Sequence, residues 1–215
     1  VAQAALAAGR DPGEVTLLAA TKTVPVGMVN YGISQGLACV GENRVQELLD
    51  KYDGLDKAGC ALHFIGRLQT NKVKYLVGKV GCIQSVDSVK LAGEVSRQSM
   101  AQGQKTPVLV QVNIGREEQK GGVDPDRLYE FLDEIRTFPG ISINGLMAVP
   151  PIFDNERELS ACFSRMFKYY VDIEGKKIDN ISMRCLSMGM SADFPLAIRC
   201  GATMVRVGSS LFGAR

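Results

Sequence analysis

Apolar residues in this chain gather in short runs, and between the runs they recur every three or four positions. A short unbroken run suits a strand covered on both faces, and the wider spacing suits a helix with one buried face. Read this way, residues 15–22 form a first strand, with five of the six residues from Val15 to Ala20 apolar. Further strands follow at 38–41, 61–66, 82–86, 107–114, 141–149, 181–188 and 204–207. Helical spacing fills the gaps. Val26, Val29, Ile33 and Leu37 follow Pro25, and Val45, Leu48, Leu49 and Tyr52 mark a helix over 43–58. A basic helix is predicted over 67–79, and others over 88–102, from Asp124-Pro125 onward, over 154–173 and over 191–200. Asp87 or Ser88 and Asp124 stand where helix caps are needed, with Pro125 at a first helical position. Residues 1–9 read as the end of a helix stopped by Gly9 and Asp11-Pro12-Gly13.

Strand and helix thus alternate about eight times with short connections. This predicts a parallel sheet, and eight repeats predict one closed (β/α)8 barrel over residues 1–215. The alternative is an open doubly wound sheet. No G-x-G-x-x-G follows a strand, which counts against a dinucleotide-binding version of it.

The charge changes this picture little. A net charge of +2 is too small to argue for nucleic acid or a membrane surface as partner. No run approaches the roughly 18 apolar residues of a membrane span. The six cysteines form no C-x-x-C pair and several lie inside apolar runs, so no metal site and a reducing, cytoplasmic setting are expected. Val1 begins inside an alanine-rich helical pattern without an initiator methionine, so the first helix is expected to be trimmed. No long apolar surface stripe is left over once the core is assigned, and a monomer is expected.

In a (β/α)8 barrel the chemistry sits at the C-terminal ends of the strands. That face would carry Lys22, Asn43, His63 or Arg67, Asn113, Met147, and residues 187–191 and 206–209. Lys22 either emerges into solvent or is aimed into a pocket, where apolar walls would free its amine for Schiff-base chemistry. An unperturbed lysine is neutral only about 0.04% of the time at pH 7. The segments SMGMSADF and VGSS follow strands seven and eight, where barrels commonly bind phosphate. Ser191 is either a helix cap or a phosphate ligand, and Gly208 and Ser209 offer backbone N–H and hydroxyl groups. Arg206, two residues before Gly208, is either a cation facing the mouth or half of a structural ion pair. His63 is either a satisfied core residue or a pocket wall. The cluster Arg67, Lys72, Lys74 and Lys79 is either a phosphate site or a solvated face. A lysine opposite a phosphate cradle suggests pyridoxal 5'-phosphate (PLP), whose aldehyde condenses with lysine.

The stretches LLAATKTVP, GENRVQE, HFIGRLQTNK, SMGMSADFPLAI and GATMVRVGSSLFGAR resemble the pyridoxal phosphate homeostasis proteins, in the same order and over nearly the full chain. The resemblance implies a barrel of the fold-type III kind, similar to the N-terminal domain of alanine racemase. It implies PLP bound to Lys22, phosphate contacts from Ser191, Gly208 and Ser209, and Arg206 at the pyridine nitrogen. Asn43 and His63 match positions lining the pocket. It further implies a non-catalytic protein that keeps vitamin B6 in balance, with PLP-dependent apo-enzymes as possible recipients of the cofactor. The chain departs from the family in its short N-terminus.

The rival expectations are a PLP-dependent racemase or decarboxylase and a cofactor-free Schiff-base aldolase. The chain ends at Arg215, just past strand eight, without the β domain from which the racemases draw a catalytic tyrosine. No amino-acid turnover and no catalytic residue are therefore expected.

Overall fold

A computed structural model of the chain describes residues 1–117, 119–153 and 155–213. Eight parallel strands close into a barrel in sequence order: β1 (Thr16–Ala20), β2 (Cys39–Glu42), β3 (Ala61–Phe64), β4 (Cys82–Val86), β5 (Thr106–Val112), β6 (Ile141–Ala148), β7 (Ile181–Ser187) and β8 (Met204–Val207). Pairing of β1 with β8 completes the ring, with Leu18 beside Arg206 and Ala19 beside Val207. The open doubly wound alternative is thereby excluded.

The helices are α1 (Ala2–Ala7), α2 (Val26–Ser34), α3 (Val45–Tyr52), α4 (Val89–Ala101), α5 (Leu128–Ile135), α6 (Glu156–Gly175), α7 (Phe194–Arg199) and α8 (Ser209–Phe212). Local chemistry explains their starts. The Ser88 hydroxyl accepts from the Leu91 N–H, and the Asn155 side chain accepts from the Glu158 N–H. Asp124 caps a short 3-10 turn, Pro125–Arg127, that leads into α5. The predicted helix start at Asp154, the motif residues Ala214 and Arg215, and Glu118 lie outside the described residues.

Two layers bury the apolar positions. The outward faces of the strands and the inner faces of the helices make the main core, around Phe64, Leu132, Ile135, Phe163 and Met166. Inside the ring, Leu18, Cys39 and Met204 pack together, and so do Cys82, Leu109 and Met147. This filled interior makes the barrel a core rather than a pore. Among the described residues no helix is long and apolar enough to cross a membrane.

Two expectations are corrected. The basic stretch is not an α-helix but a 3-10 helix, Thr70–Tyr75. Val73 and Leu76, three apart, are both fully buried, a spacing that a three-residue turn brings onto one face. The spacing of Leu159, Phe163, Met166, Phe167 and Tyr170 predicts one buried stripe along α6, yet Phe167 is 41% exposed and its ring covers Gly201.

Gly145 carries the tightest demand on the barrel wall. Its φ is +148°, and a methyl group there would lie 1.8 Å from the Cys185 carbonyl oxygen on β7. The β6–β7 register shifts at this point. Gly145→Ala is expected to lower unfolding free energy by about 3 kcal/mol, as strain added to a backbone clash. An unchanged urea midpoint would contradict that reading of the β6–β7 joint.

Candidate functional site

Lys22 lies in the turn just past β1, two residues beyond Ala20, and its side chain is exposed. It continues the parity of Leu18, which faces the ring interior. The register Ala19–Val207 sets this turn next to the end of β8, where Gly208 follows. The lysine therefore stands at the rim of the mouth rather than inside a closed pocket.

Across that joint, Ser191 does not cap a helix. The helix after β7 begins only at Phe194, and the Ser191 hydroxyl oxygen instead accepts from the Gly208 N–H at 3.1 Å and the Ser210 N–H at 3.5 Å. With its lone pairs engaged, the hydroxyl proton remains free to donate. The bond ties the β7–α7 loop to the β8–α8 loop, where Ser209 is exposed. Gly189 makes the turn possible. Its φ is +93°, and a methyl group would sit 2.5 Å from the Ala197 side chain. Together these residues gather hydroxyl and backbone N–H groups at the C-terminal end of the barrel, the face on which (β/α)8 barrels commonly bind anions.

Beneath these loops lies Arg206, only 5% exposed. It donates to the Ser187 hydroxyl at 2.8 Å and to the Ala148 carbonyl at 2.8 Å. Among the described residues no carboxylate pairs with it, so the ion-pair alternative is not what the fold contains. Burial pulls its pKa down to about 10, which leaves it charged at neutral pH.

From Arg206 a polar chain crosses the ring. Arginine can only donate, so the Ser187 oxygen accepts and its proton passes on to Gln84 Oε1 at 2.7 Å. That fixes the Gln84 amide, whose nitrogen donates to His63 Nδ1 at 2.8 Å and contacts the Met204 sulfur at 3.1 Å. His63 is thereby held with its proton on Nε2. Its side chain joins the site from below, through Gln84, rather than directly at the mouth. Burial pushes the His63 pKa down to about 4.

Asn43 stands elsewhere. It follows β2 and lines a polar cleft of about 820 Å³ with Arg44, Arg67, Gln69, Asn71 and Lys72. The candidates Arg67 and Lys72 share that cleft, whereas Lys22, His63, Ser191, Arg206, Gly208 and Ser209 do not line it. The lysines near it are exposed; Lys72 and Lys74 lie over the Tyr75 ring, and Lys79 over the Tyr52 ring. Met147 fills the ring interior, and Asn113 holds its own loop by bonding the Glu117 backbone. Among the described residues no group of His, Cys, Asp and Glu could hold a metal ion.

Gln84 was not a sequence candidate. It lies within a strand as buried as its neighbours, and the only signal was one amide in the run CIQSV. A further group was also hidden. Glu42, Glu47 and Lys51 form partly buried ion pairs behind the Lys22 turn, with Lys51 2.8 Å from Glu42 and 2.7 Å from Glu47.

Residues 5–215 match the family model of the alanine racemase N-terminal domain. The pyridoxal phosphate homeostasis protein of Aquifex aeolicus is 43% identical over 208 residues, 97% of this chain and 90% of that protein. Among solved structures, a protein from Bifidobacterium adolescentis is similar with a TM-score of 0.94 and 37% identity, over 98% of this chain and 89% of that one. PipY of Synechococcus elongatus, crystallised with PLP bound, is similar with a TM-score of 0.86 and 32% identity, over 98% of each chain.

The buried relay predicts a pH signature. Burial favours neutral His63, so between its ordinary pKa of 6.5 and about 4 the unfolded chain takes up a proton that the folded protein refuses. The stability His63 contributes is present above the ordinary pKa and is lost as pH falls. His63 is the one histidine of the chain, so its ring resonances are directly readable. NMR titration is expected to give a midpoint near 4. A midpoint at the ordinary value would show the ring to be solvated and the relay open.

Proposed function

The chain belongs to the alanine racemase N-terminal domain family and, within it, to the pyridoxal phosphate homeostasis proteins, and on that premise we propose that it binds PLP on Lys22 and holds it without turning over amino acids. One observation carries the reading: a buried, charged Arg206, with no carboxylate at pairing distance among the described residues, lies on β8 between the β1 strand that leads to the exposed Lys22 and the hydroxyl-and-amide loop that follows β8. A buried charge left unpaired is costly unless something else accepts from it. An aromatic ring nitrogen with a free lone pair is such an acceptor, and a phosphate suits the cradle.

When bound, PLP supplies an aldehyde that condenses with an amine to give a Schiff base and water, and a ring that can draw electrons from that carbon. Lys22 offers the amine from the rim. Ser191 donates its free hydroxyl proton to a phosphate oxygen, and the Gly208–Ser209 backbone lines the same cradle. Arg206 donates to the pyridine nitrogen. A guanidinium keeps its own protons, so that nitrogen stays unprotonated and the ring is a weak electron sink. The exposed rim also admits water, which weakens electrostatic stabilisation of any carbanion formed there. These properties support a carrier rather than a racemase or decarboxylase. An open mouth suits release of the cofactor to PLP-dependent apo-enzymes, in the cytoplasm.

Two substitutions test the assignment. Borohydride reduction of the PLP-loaded protein is expected to fix cofactor on Lys22, and Lys22→Ala to abolish that label. Equal labelling of the two proteins would refute Lys22 as the attachment point. Ser191→Ala is expected to keep the covalent label but loosen retention, by about 1.5–3 kcal/mol for a hydrogen bond to a charged group. Equal cofactor dissociation rates would remove Ser191 from the phosphate site.

A further inference from the structure

The peptide groups on either side of Lys22 are both held by the partly buried ion cluster behind it. Lys51 has three N–H donors, and all are taken: by the Thr21 carbonyl at 2.8 Å, Glu42 Oε1 at 2.8 Å and Glu47 Oε1 at 2.7 Å. The Thr21 carbonyl belongs to the peptide that enters Lys22. The Thr23 N–H belongs to the peptide that leaves it, and it donates to that same Glu47 Oε1. The Thr21 hydroxyl adds a bond to Glu42 Oε1 at 2.7 Å.

Two peptide planes define φ and ψ of the residue between them. Fixing both fixes the direction in which the Lys22 side chain leaves the backbone. The side chain itself takes no part in these bonds and stays exposed.

Thr23 supplies an independent sign that the turn is over-determined. Its φ is +62°, in the left-handed region. A β-branched residue there is a genuine outlier, and such strain persists only where the surroundings impose it. The Thr23 hydroxyl also bonds back to the Lys22 carbonyl at 2.6 Å. Burial alone would raise the Glu47 carboxyl, but the hydrogen bonds from Lys51 and the Thr23 N–H hold it below the usual carboxylate range. It therefore remains an anion able to grip the turn. An ion cluster that only stapled α3 to the barrel would have no need to reach both peptides of one exposed lysine.

We propose that Glu47 and Lys51, seated on buried Glu42, are positioning residues that hold the backbone of Lys22 so that its amine is aimed at an aldehyde in the mouth. The proposal rests on the reading of Lys22 as the attachment point. It assigns a role to the GENRVQE segment and the helix it opens, away from the phosphate cradle.

The test compares Glu47→Ala with Glu47→Gln, which keeps an oxygen acceptor at the same place. Three quantities are read: amide hydrogen exchange at Thr23 without cofactor, the rate of borohydride-fixable labelling by PLP, and affinity for pyridoxine 5'-phosphate. That last ligand has an alcohol in place of the aldehyde and so reports ring and phosphate contacts alone. In Glu47→Ala, Thr23 exchange is expected to quicken at least about tenfold as local opening becomes easier. Labelling is expected to slow about tenfold because the amine is misdirected. Affinity for the alcohol is expected to stay within about twofold, since those contacts are remote from the substitution. Glu47→Gln should recover most of both losses. Unchanged exchange at Thr23, unchanged labelling, or a parallel loss of affinity for the alcohol would overturn the proposal. A failure of the unmodified protein to label at Lys22 would instead refute the attachment reading, and Thr23 exchange would still decide whether the clamp exists.

Discussion

The mouth of this barrel depends on a buried guanidinium that, among the described residues, forms no direct ion pair. Arg206 is 5% exposed and leans on a serine hydroxyl and a main-chain carbonyl, both neutral. Such a group is tolerated only where its donors are satisfied and its charge has a use. The direction of the whole interior relay follows from it. Arginine donates, so Ser187 must pass a proton on, Gln84 must present its oxygen to Ser187 and its nitrogen to His63, and His63 must stay neutral. One residue type at the end of one strand thus sets the polarity of side chains on β3, β4 and β7.

A division of labour around the ring follows. The β7 and β8 loops, joined through Ser191 and Gly208, carry the proposed anion cradle. The β1 turn brings the amine, held by the Lys51 cluster from β2 and α3. The β2, β3 and β4 loops line a separate polar cleft around Asn43 and Arg67. Closure of β1 onto β8 makes the first two neighbours although they lie at opposite ends of the chain. A ring order in sequence sequence-separates what space joins, and only closure brings Lys22 beside Gly208.

Much of the fold was legible in the sequence, because a strand covered on both faces is a dense apolar run and its partner helix is periodic. Residues 82–86 and 204–207 were read with the bounds the structure gives them. The basic segment was misread because periodicity does not separate a buried 3-10 turn from a short α-helix. At the site, Lys22, Ser191, Arg206 and Gly208 stood out as polar or small residues placed after apolar runs. Gln84 did not, since a lone amide within a buried strand carries no local mark of its partners 21 and 103 residues away. Lys51 was likewise hidden. On a helix of mixed charge, a lysine whose three donors are all engaged looks like any solvated one. Pairings of this kind come from three-dimensional closure, not from spacing.

The proposed contact of Arg206 with the ring nitrogen would leave a bound cofactor held but idle. The most direct measurement is exchange of the α-hydrogen of alanine for deuterium, with stoichiometric PLP-loaded protein in heavy water, followed by NMR. No exchange above the level of free PLP under the same conditions is expected. Exchange or racemisation on the order of ten per second, an ordinary enzymatic rate, would contradict that expectation and make the protein an enzyme.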